Sequence, residues 1–95
     1  MDVPLFDLTS FQRDLLYVTI GKTRPSGQEI KAELEGDAEE ITHGRLYPNL
    51  DTLVEKEYLE RGMIDRRTNF YAVSEMGAQE LRERRDWEDN YVDFD

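Results

Sequence analysis

The chain carries one histidine, no cysteine, nine arginines and three lysines. Disulfides, thiolate nucleophiles and cysteine metal clusters are therefore excluded, and a single histidine cannot build a metal site. Carboxylates are abundant, but no two stand out as a paired acid and base. There is no glycine-rich phosphate loop, so the pattern does not describe an enzyme. The side chains left with chemistry to do are hydrogen-bonding forks and cations. Arg45 and Asn49 lie four apart, His43 just precedes them, and Arg66-Arg67-Thr68-Asn69 form one polar run. An arginine matches the O6/N7 edge of guanine, and an asparagine the edge of adenine. Adjacent arginines in a turn have no core to serve and fit phosphates or a minor groove, or simply a solvated turn. These residues point to recognition of nucleic acid.

The overall charge opposes that reading. Twenty-two acidic residues face twelve basic ones, a formal net charge of −10, and a polyanion repels acid. An anionic membrane surface is disfavoured for the same reason. The distribution resolves the conflict. Residues 1–40 hold 4 basic and 9 acidic side chains, and residues 74–95 hold 3 and 8. Residues 41–73 hold 5 of each, so acid is in balance only where the candidate recognition residues lie. A mimic of DNA would concentrate acid on the face it presents, which is the reverse. Scarce lysine with abundant Asp and Glu resembles the bias of salt-in halophiles. Concentrated salt shortens the Debye length to roughly 3 Å at 1 M, and net repulsion loses its reach.

The elements that must position these groups follow from caps and periodicity. Ninety-five residues make one domain. Thr9 and Gln12 have capping-box spacing at the head of a first helix that ends at Gly21. Ser26 and Glu29 repeat the device before a short second helix that stops near Gly36. Asp37 to Glu40 reads as an acidic connector. Thr42 caps a third helix over His43–Glu57, in which Leu46, Leu50, Leu53 and Val54 share one face. Pro48 sits inside it and is expected to bend or loosen its first two turns. Two short branched and aromatic runs, 58–64 and 70–73, flank a polar tip at 65–69 and read as a hairpin. Ser74 then caps a last helix running from Glu75 toward Tyr91. The fold class expected is α+β, mainly α: a winged helix-turn-helix of three helices, a β-hairpin wing and a C-terminal helix. Residues 1–8 would be an N-terminal arm, 9–73 the DNA-binding domain, and 74–95 a dimerisation helix with an acidic tail.

Helical geometry assigns the outward side chains of the third helix. With its leucines inward, Arg45, Pro48, Asn49 and Thr52 lie on the opposite or flanking side. Arg45 reads guanine or contacts a phosphate; Asn49 reads adenine or is a solvated amide. Tyr47 flanks the leucine stripe and can pass its hydroxyl to a phosphate. His43 stands at a helix N-terminus, where an anion is favoured, or serves as a surface residue. Thr42 is a cap, with a phosphate bond as the lesser role. Gln28 on the second helix is a candidate for backbone positioning.

Three blocks carry a resemblance to the PadR-like family of winged-helix transcriptional regulators, in its short haloarchaeal type. They are Thr9-Ser10-Phe11-Gln12-Arg13-Asp14-Leu15-Leu16-Tyr17-Val18, His43-Gly44-Arg45-Leu46-Tyr47-Pro48-Asn49-Leu50-Asp51-Thr52-Leu53-Val54-Glu55-Lys56, and Ile64-Asp65-Arg66-Arg67-Thr68-Asn69-Phe70-Tyr71 with Ser74-Glu75-Met76-Gly77. The Leu-Tyr-Pro followed by a Leu-x-x-Leu helix is the most specific element. The resemblance covers about residues 8–85. It implies a homodimeric DNA-binding repressor with dimer contacts from the first and last helices. One position departs from the family's habit: Glu57 stands where a glycine usually ends the turn after the third helix, and a changed turn geometry is expected there.

The aromatics need burial, and a second subunit is the leading occupant. Phe6, Phe11 and Leu15 near the first helix would meet Leu81, Trp87 and Tyr91 of the last. Packing onto the same subunit is the alternative, as is an effector pocket for an unknown small molecule. The partners expected are double-stranded DNA and a second copy, with no cofactor and no membrane. No targeting or spanning segment is visible, and a cytoplasmic location is expected. A winged-helix module that binds only protein is the competing reading.

Overall fold

The computed structural model describes residues 3–36 and 40–94. Three residues of the acidic connector, Asp37, Ala38 and Glu39, lie outside it, as do the ends of the expected arm and tail. The elements run α1 (Ser10–Ile20), α2 (Gly27–Glu35), α3 (His43–Glu55), β1 (Leu59–Met63), β2 (Asn69–Val73) and α4 (Glu75–Asp89). This is the winged helix-turn-helix arrangement expected, mainly helical with one antiparallel pair of strands.

Each helix starts where its cap places it. The Thr9 hydroxyl accepts the N–H of Gln12, and the Gln12 side chain accepts the N–H of Thr9. Ser26 and Glu29 make the same reciprocal pair at α2. Thr42 and Ser74 accept from the N–H groups of Arg45 and Gly77. These bonds satisfy donors that the first helical turn leaves unpaired.

The core draws on every element. Leu15 and Leu16 of α1, Ile30 of α2, Leu46, Leu50 and Leu53 of α3, Leu59 of β1, Tyr71 of β2 and Leu81 of α4 are all buried. Residues 3–8 do not form a free arm. Their turns bury Leu5 and Leu8. The Arg13 guanidinium donates to the carbonyls of both residues at 3.2 and 2.8 Å.

Pro48 does not break α3, which continues as α-helix through Glu55. Proline costs the bond to the carbonyl of Gly44. Gly44 is solvent-exposed, so water can take that acceptor, and no side chain at 44 crowds the ring. The hairpin register pairs Leu59 with Val73 and Met63 with Asn69. Asn69 is therefore the first residue of β2 rather than part of the tip. Asp65 closes the tip by accepting the N–H groups of Arg67 and Thr68 at 2.8 and 3.0 Å.

The wing is also tied to α2. The N–H of Tyr71 donates to the carbonyl of Pro25 at 2.9 Å, and Ser26 bridges Phe70. Periodicity over so short a segment could not announce this third stretch of strand-like pairing.

Glu57 does not change the turn. It adopts the left-handed conformation itself, with φ +68°. The N–H of Tyr58 reaches the carbonyl of Leu53, and that of Glu57 the carbonyl of Val54, both at 3.0 Å. This is a complete Schellman motif with glutamate at the glycine position. Ser74 locks the turn by donating its hydroxyl to the Glu57 carbonyl at 2.6 Å. The turn keeps the hydrogen bonds a glycine would make, and the side chain bears the steric cost.

The start of α3 is held across the connector. Glu35 accepts the N–H of Ile41 at 2.7 Å and pairs with Lys31 at 3.0 Å. The Ile41 N–H first, and Lys31 second, hold the Glu35 carboxyl below its ordinary value of 4.5.

Replacing Glu57 with glycine should raise unfolding stability by about 1 kcal/mol, because only the Cβ penalty of the left-handed region is removed. A urea midpoint unchanged or lowered in Glu57→Gly would show that the side chain contributes more than its strain costs. A lowered carboxyl pKa contributes stability present above the unfolded value and lost as pH falls through the folded one. The urea midpoint should therefore fall as pH drops below the ordinary carboxylate range, and fall less steeply in Glu35→Gln. Parallel pH dependences would remove Glu35 from the acid response.

Candidate nucleic-acid interface

Burial of Leu46, Leu50 and Leu53 at 0% exposure sets the rotation of α3. Turning these leucines out would cost about 1.5–3 kcal/mol each. The opposite face then presents His43, Gly44, Arg45 and Pro48, all exposed, with Thr52 half-buried beside them. The Thr52 hydroxyl donates to the Pro48 carbonyl at 3.0 Å.

Arg45 is exposed but not loose. Its guanidinium carbon lies 4.0 Å from the centre of the Phe11 ring. Phe11, expected at a dimer contact, thus lies beneath α3, partly packed on the core. Asn49 is half-buried and already bonded on both sides of its amide. Its Oδ1 accepts from Gln12 at 2.9 Å, and its Nδ2 donates to the Arg45 carbonyl at 2.7 Å. Reading adenine with both groups would require those bonds to be shared or broken.

A second cluster joins α2 to α3. The Gln28 amide lies 3.2 Å from His43 Nε2 and 3.4 Å from the Tyr47 hydroxyl. The His43 ring meets Tyr47 edge-on at 5.6 Å. Gly27 makes this possible, since a Cβ there would lie 2.7 Å from Tyr47 Cε1. Tyr47 then forms one wall of a cleft of about 280 Å³, shared with Ser26, Gln28, Arg67, Thr68 and Asn69. The first turn of α2, the outward edge of α3 and the wing therefore lie around one depression. Thr42 is committed as a cap, and its hydroxyl accepts the Arg45 N–H at 3.2 Å.

The electrostatics of this face follow from pairing. Asp51 of α3 is paired with Arg61 of the wing at 2.8 Å, and Asp65 is spent on the tip. Among the described residues, Arg24, Arg45, Arg66 and Arg67 make no ion pair. Arg66 and Arg67 are exposed at the tip. Arg24 was not singled out from the sequence. It precedes the α2 cap with φ +46° and lies 5.1 Å from the Phe70 ring of the wing. Its one signal in the sequence is its place two residues before Ser26.

The expected dimer residues divide. Leu15 and Leu81, at 0% and 3% exposure, belong to the subunit's own core and leave no surface for a partner. Phe6 and Tyr91 are well exposed, and Phe94 is exposed at 94%. Trp87 is half-buried, stacked under Arg84 at 4.6 Å and edge-on to Tyr91 at 5.2 Å. Nearby, the Tyr17 hydroxyl of α1 is buried with no hydrogen-bond partner among the described residues. Burial first, and Glu88 second, push the pKa of that hydroxyl up, against the pull of Arg85, Arg84 and Arg13. It borders a groove formed with Arg85, Glu88, Asp89, Val92 and Phe94.

Comparisons with known proteins agree with this geometry. No curated protein matches the chain. RosR of H. salinarum, in crystals grown from NaBr, is 41% identical over 96% of this chain and 83% of its own, with a TM-score of 0.87. The hsRosR-S4 complex is 40% identical, covers 99% of this chain and 84% of that one, and has a TM-score of 0.90. These neighbours support the haloarchaeal type of the resemblance. Bacillus subtilis PadR in complex with operator DNA has a TM-score of 0.65 over 93% of this chain and 51% of its own. At 18% identity it speaks for the fold alone. The transcriptional regulator PadR-like family matches residues 15–83, from the middle of α1 into α4. That span contains the leucine stripe, the outward face of α3 and the wing, and the chain belongs to the PadR-like family of transcriptional regulators.

Proposed function

We propose that this chain is a homodimeric, sequence-specific DNA-binding repressor that acts in the cytoplasm on a palindromic operator. The observation that carries the reading is the set of arginines without ion pairs, Arg45, Arg66 and Arg67, on the outward face of α3 and the wing tip. They stand on the one part of the chain where acid and base balance. α3 enters the major groove, with Arg45 as the leading base reader and Asn49, Pro48 and Thr52 beside it. Gln28, His43, Tyr47 and the cap at Thr42 face the phosphates of one strand. Arg66 and Arg67 of the wing, with Thr68 and Asn69, contact a neighbouring stretch of backbone. The acidic flanks are a solvation coat suited to concentrated salt.

The dimer is assigned to the far end of α4 with α1. Trp87, Tyr91 and the groove beside Tyr17 form a surface of aromatic and charged side chains that one subunit leaves partly open, and Phe6 adds to it from the chain's start. The two-fold symmetry of such a dimer calls for half-sites about one or two helical turns apart.

Binding to an operator selected from random duplex DNA tests the reading. Arg45→Ala should weaken it by about 1–3 kcal/mol and relax the preference at one base pair. An equal loss on every sequence would move Arg45 to the backbone. The double replacement Arg66→Ala with Arg67→Ala should weaken binding alike on all sequences, and unchanged affinity would take the wing out of the interface. Failure to select any sequence would favour a module that binds protein alone. Sedimentation should find Trp87→Ala shifted toward monomer; a persistent dimer would defeat the assignment of this surface.

A further inference from the structure

The N-terminal turn of α1 is joined to the recognition helix by a hydrogen-bond chain whose direction admits one arrangement. At one end the Thr9 N–H can only donate, and it donates to Gln12 Oε1 at 3.1 Å. The Gln12 amide nitrogen must therefore face the other way, where it donates to Asn49 Oδ1 at 2.9 Å. The Asn49 amide nitrogen then donates to the Arg45 carbonyl at 2.7 Å, which can only accept. Both side-chain amides are thus oriented by backbone groups, and neither can be reversed without losing a bond at each side.

Arg45 is held at three points. Its N–H is bonded by the Thr42 hydroxyl, its carbonyl by Asn49, and its guanidinium rests on Phe11. Phe11 and Gln12 are consecutive residues of α1, so one helical turn supplies both the ring and the amide. A free arginine gives up rotamer freedom when it engages a base edge, at a cost of about 0.5–1.5 kcal/mol per immobilised side chain. A guanidinium already stacked on a half-buried ring has lost part of that freedom beforehand, and it keeps its N–H edges free for a bidentate partner.

We infer that Phe11 and Gln12 are positioning residues for sequence reading: they hold Arg45 and Asn49 in the geometry that meets the base pair, although neither belongs to the recognition helix. Asn49 acts in this scheme as a brace, with one Nδ2 hydrogen left for an acceptor on DNA. The inference rests on the DNA-reading role proposed above and adds α1 to the specificity-determining part of the site.

The test uses the intact chain and a duplex operator selected from a random library. Affinities are measured for wild type, Phe11→Leu, Phe11→Tyr, Gln12→Met, Arg45→Ala and the doubles with Arg45→Ala. Phe11→Leu keeps an apolar side chain but loses the ring face; Phe11→Tyr keeps both. Phe11→Leu and Gln12→Met should each weaken binding about 3- to 10-fold. Both should relax preference at the same base pair that Arg45→Ala relaxes, and Phe11→Tyr should bind as wild type does. In the Arg45→Ala background Phe11→Leu should cost nothing further, and Gln12→Met should cost clearly less than it does alone, because only the part carried by Asn49 remains. A merely structural role would lower the melting temperature and add its loss to that of Arg45→Ala, and such additivity overturns the inference. Should Phe11→Leu lose its cooperative melt, Phe11→Met and Gln12→Met carry the same comparison. A library that yields no enriched sequence overturns the DNA-reading role itself. Enrichment with additive losses leaves that role standing and removes only the part assigned to α1.

Discussion

Everything on the outward side of this molecule depends on three leucines on the inward side. Leu46, Leu50 and Leu53 are wholly enclosed, and a helix anchored at three successive turns has no rotational freedom left. The choice of Arg45, Pro48 and Thr52 as the presented residues is a consequence of that burial. So is the approach of Tyr47 to α2, since it flanks the same stripe. The wing inherits its direction from the end of this helix. The turn at Glu57 and the Ser74 bond to its carbonyl connect α3, the hairpin and α4 at one place. Nature's use of glutamate there keeps the geometry that glycine would supply more cheaply.

The electrostatic arrangement is local rather than global. A net charge of −10 would repel a polyanion if it were spread evenly. Instead several carboxylates on α2, α3 and the wing tip are engaged within the protein. Asp51 pairs with Arg61, Asp65 closes the wing tip, and Glu29 and Glu35 serve as cap and clamp. Arginines on the same side are left without carboxylate partners. Asp51, Asp65, Glu29 and Glu35 are thus used for positioning, while Arg45, Arg66 and Arg67 make no ion pair among the described residues.

Legibility in the sequence followed the range of the interaction. The four helix caps, the leucine stripe and the hairpin are contacts within a few residues, and all were readable in advance. The tip closed one residue early, since Asn69 pairs with Met63. Pro48 and Glu57 were read as faults because a local rule was broken at each. The structure absorbs both: Gly44 is exposed, so water can take the acceptor that Pro48 leaves, and Ser74 holds the strained turn at Glu57. Leu15 and Leu81 were assigned to a dimer because their apolar character does not tell which surface they cover. Here they cover their own core. Arg24 was passed over because its neighbour, the Phe70 ring, is distant in sequence.

The sequence by itself determined the order of elements, the inward face of α3 and the placement of balanced charge over residues 41–73. These follow from caps, from helical periodicity and from counting, each of which acts along the chain. Only the tertiary structure decided how Arg45 and Asn49 are held. The bond from Gln12 to Asn49 spans 37 residues, and Phe11 reaches Arg45 only because α1 and α3 pack together. Ser26 meets Phe70 because the wing folds back over the start of α2. No periodicity records such pairings, since each requires two helices or a strand to find one another in space before the side chains come within reach.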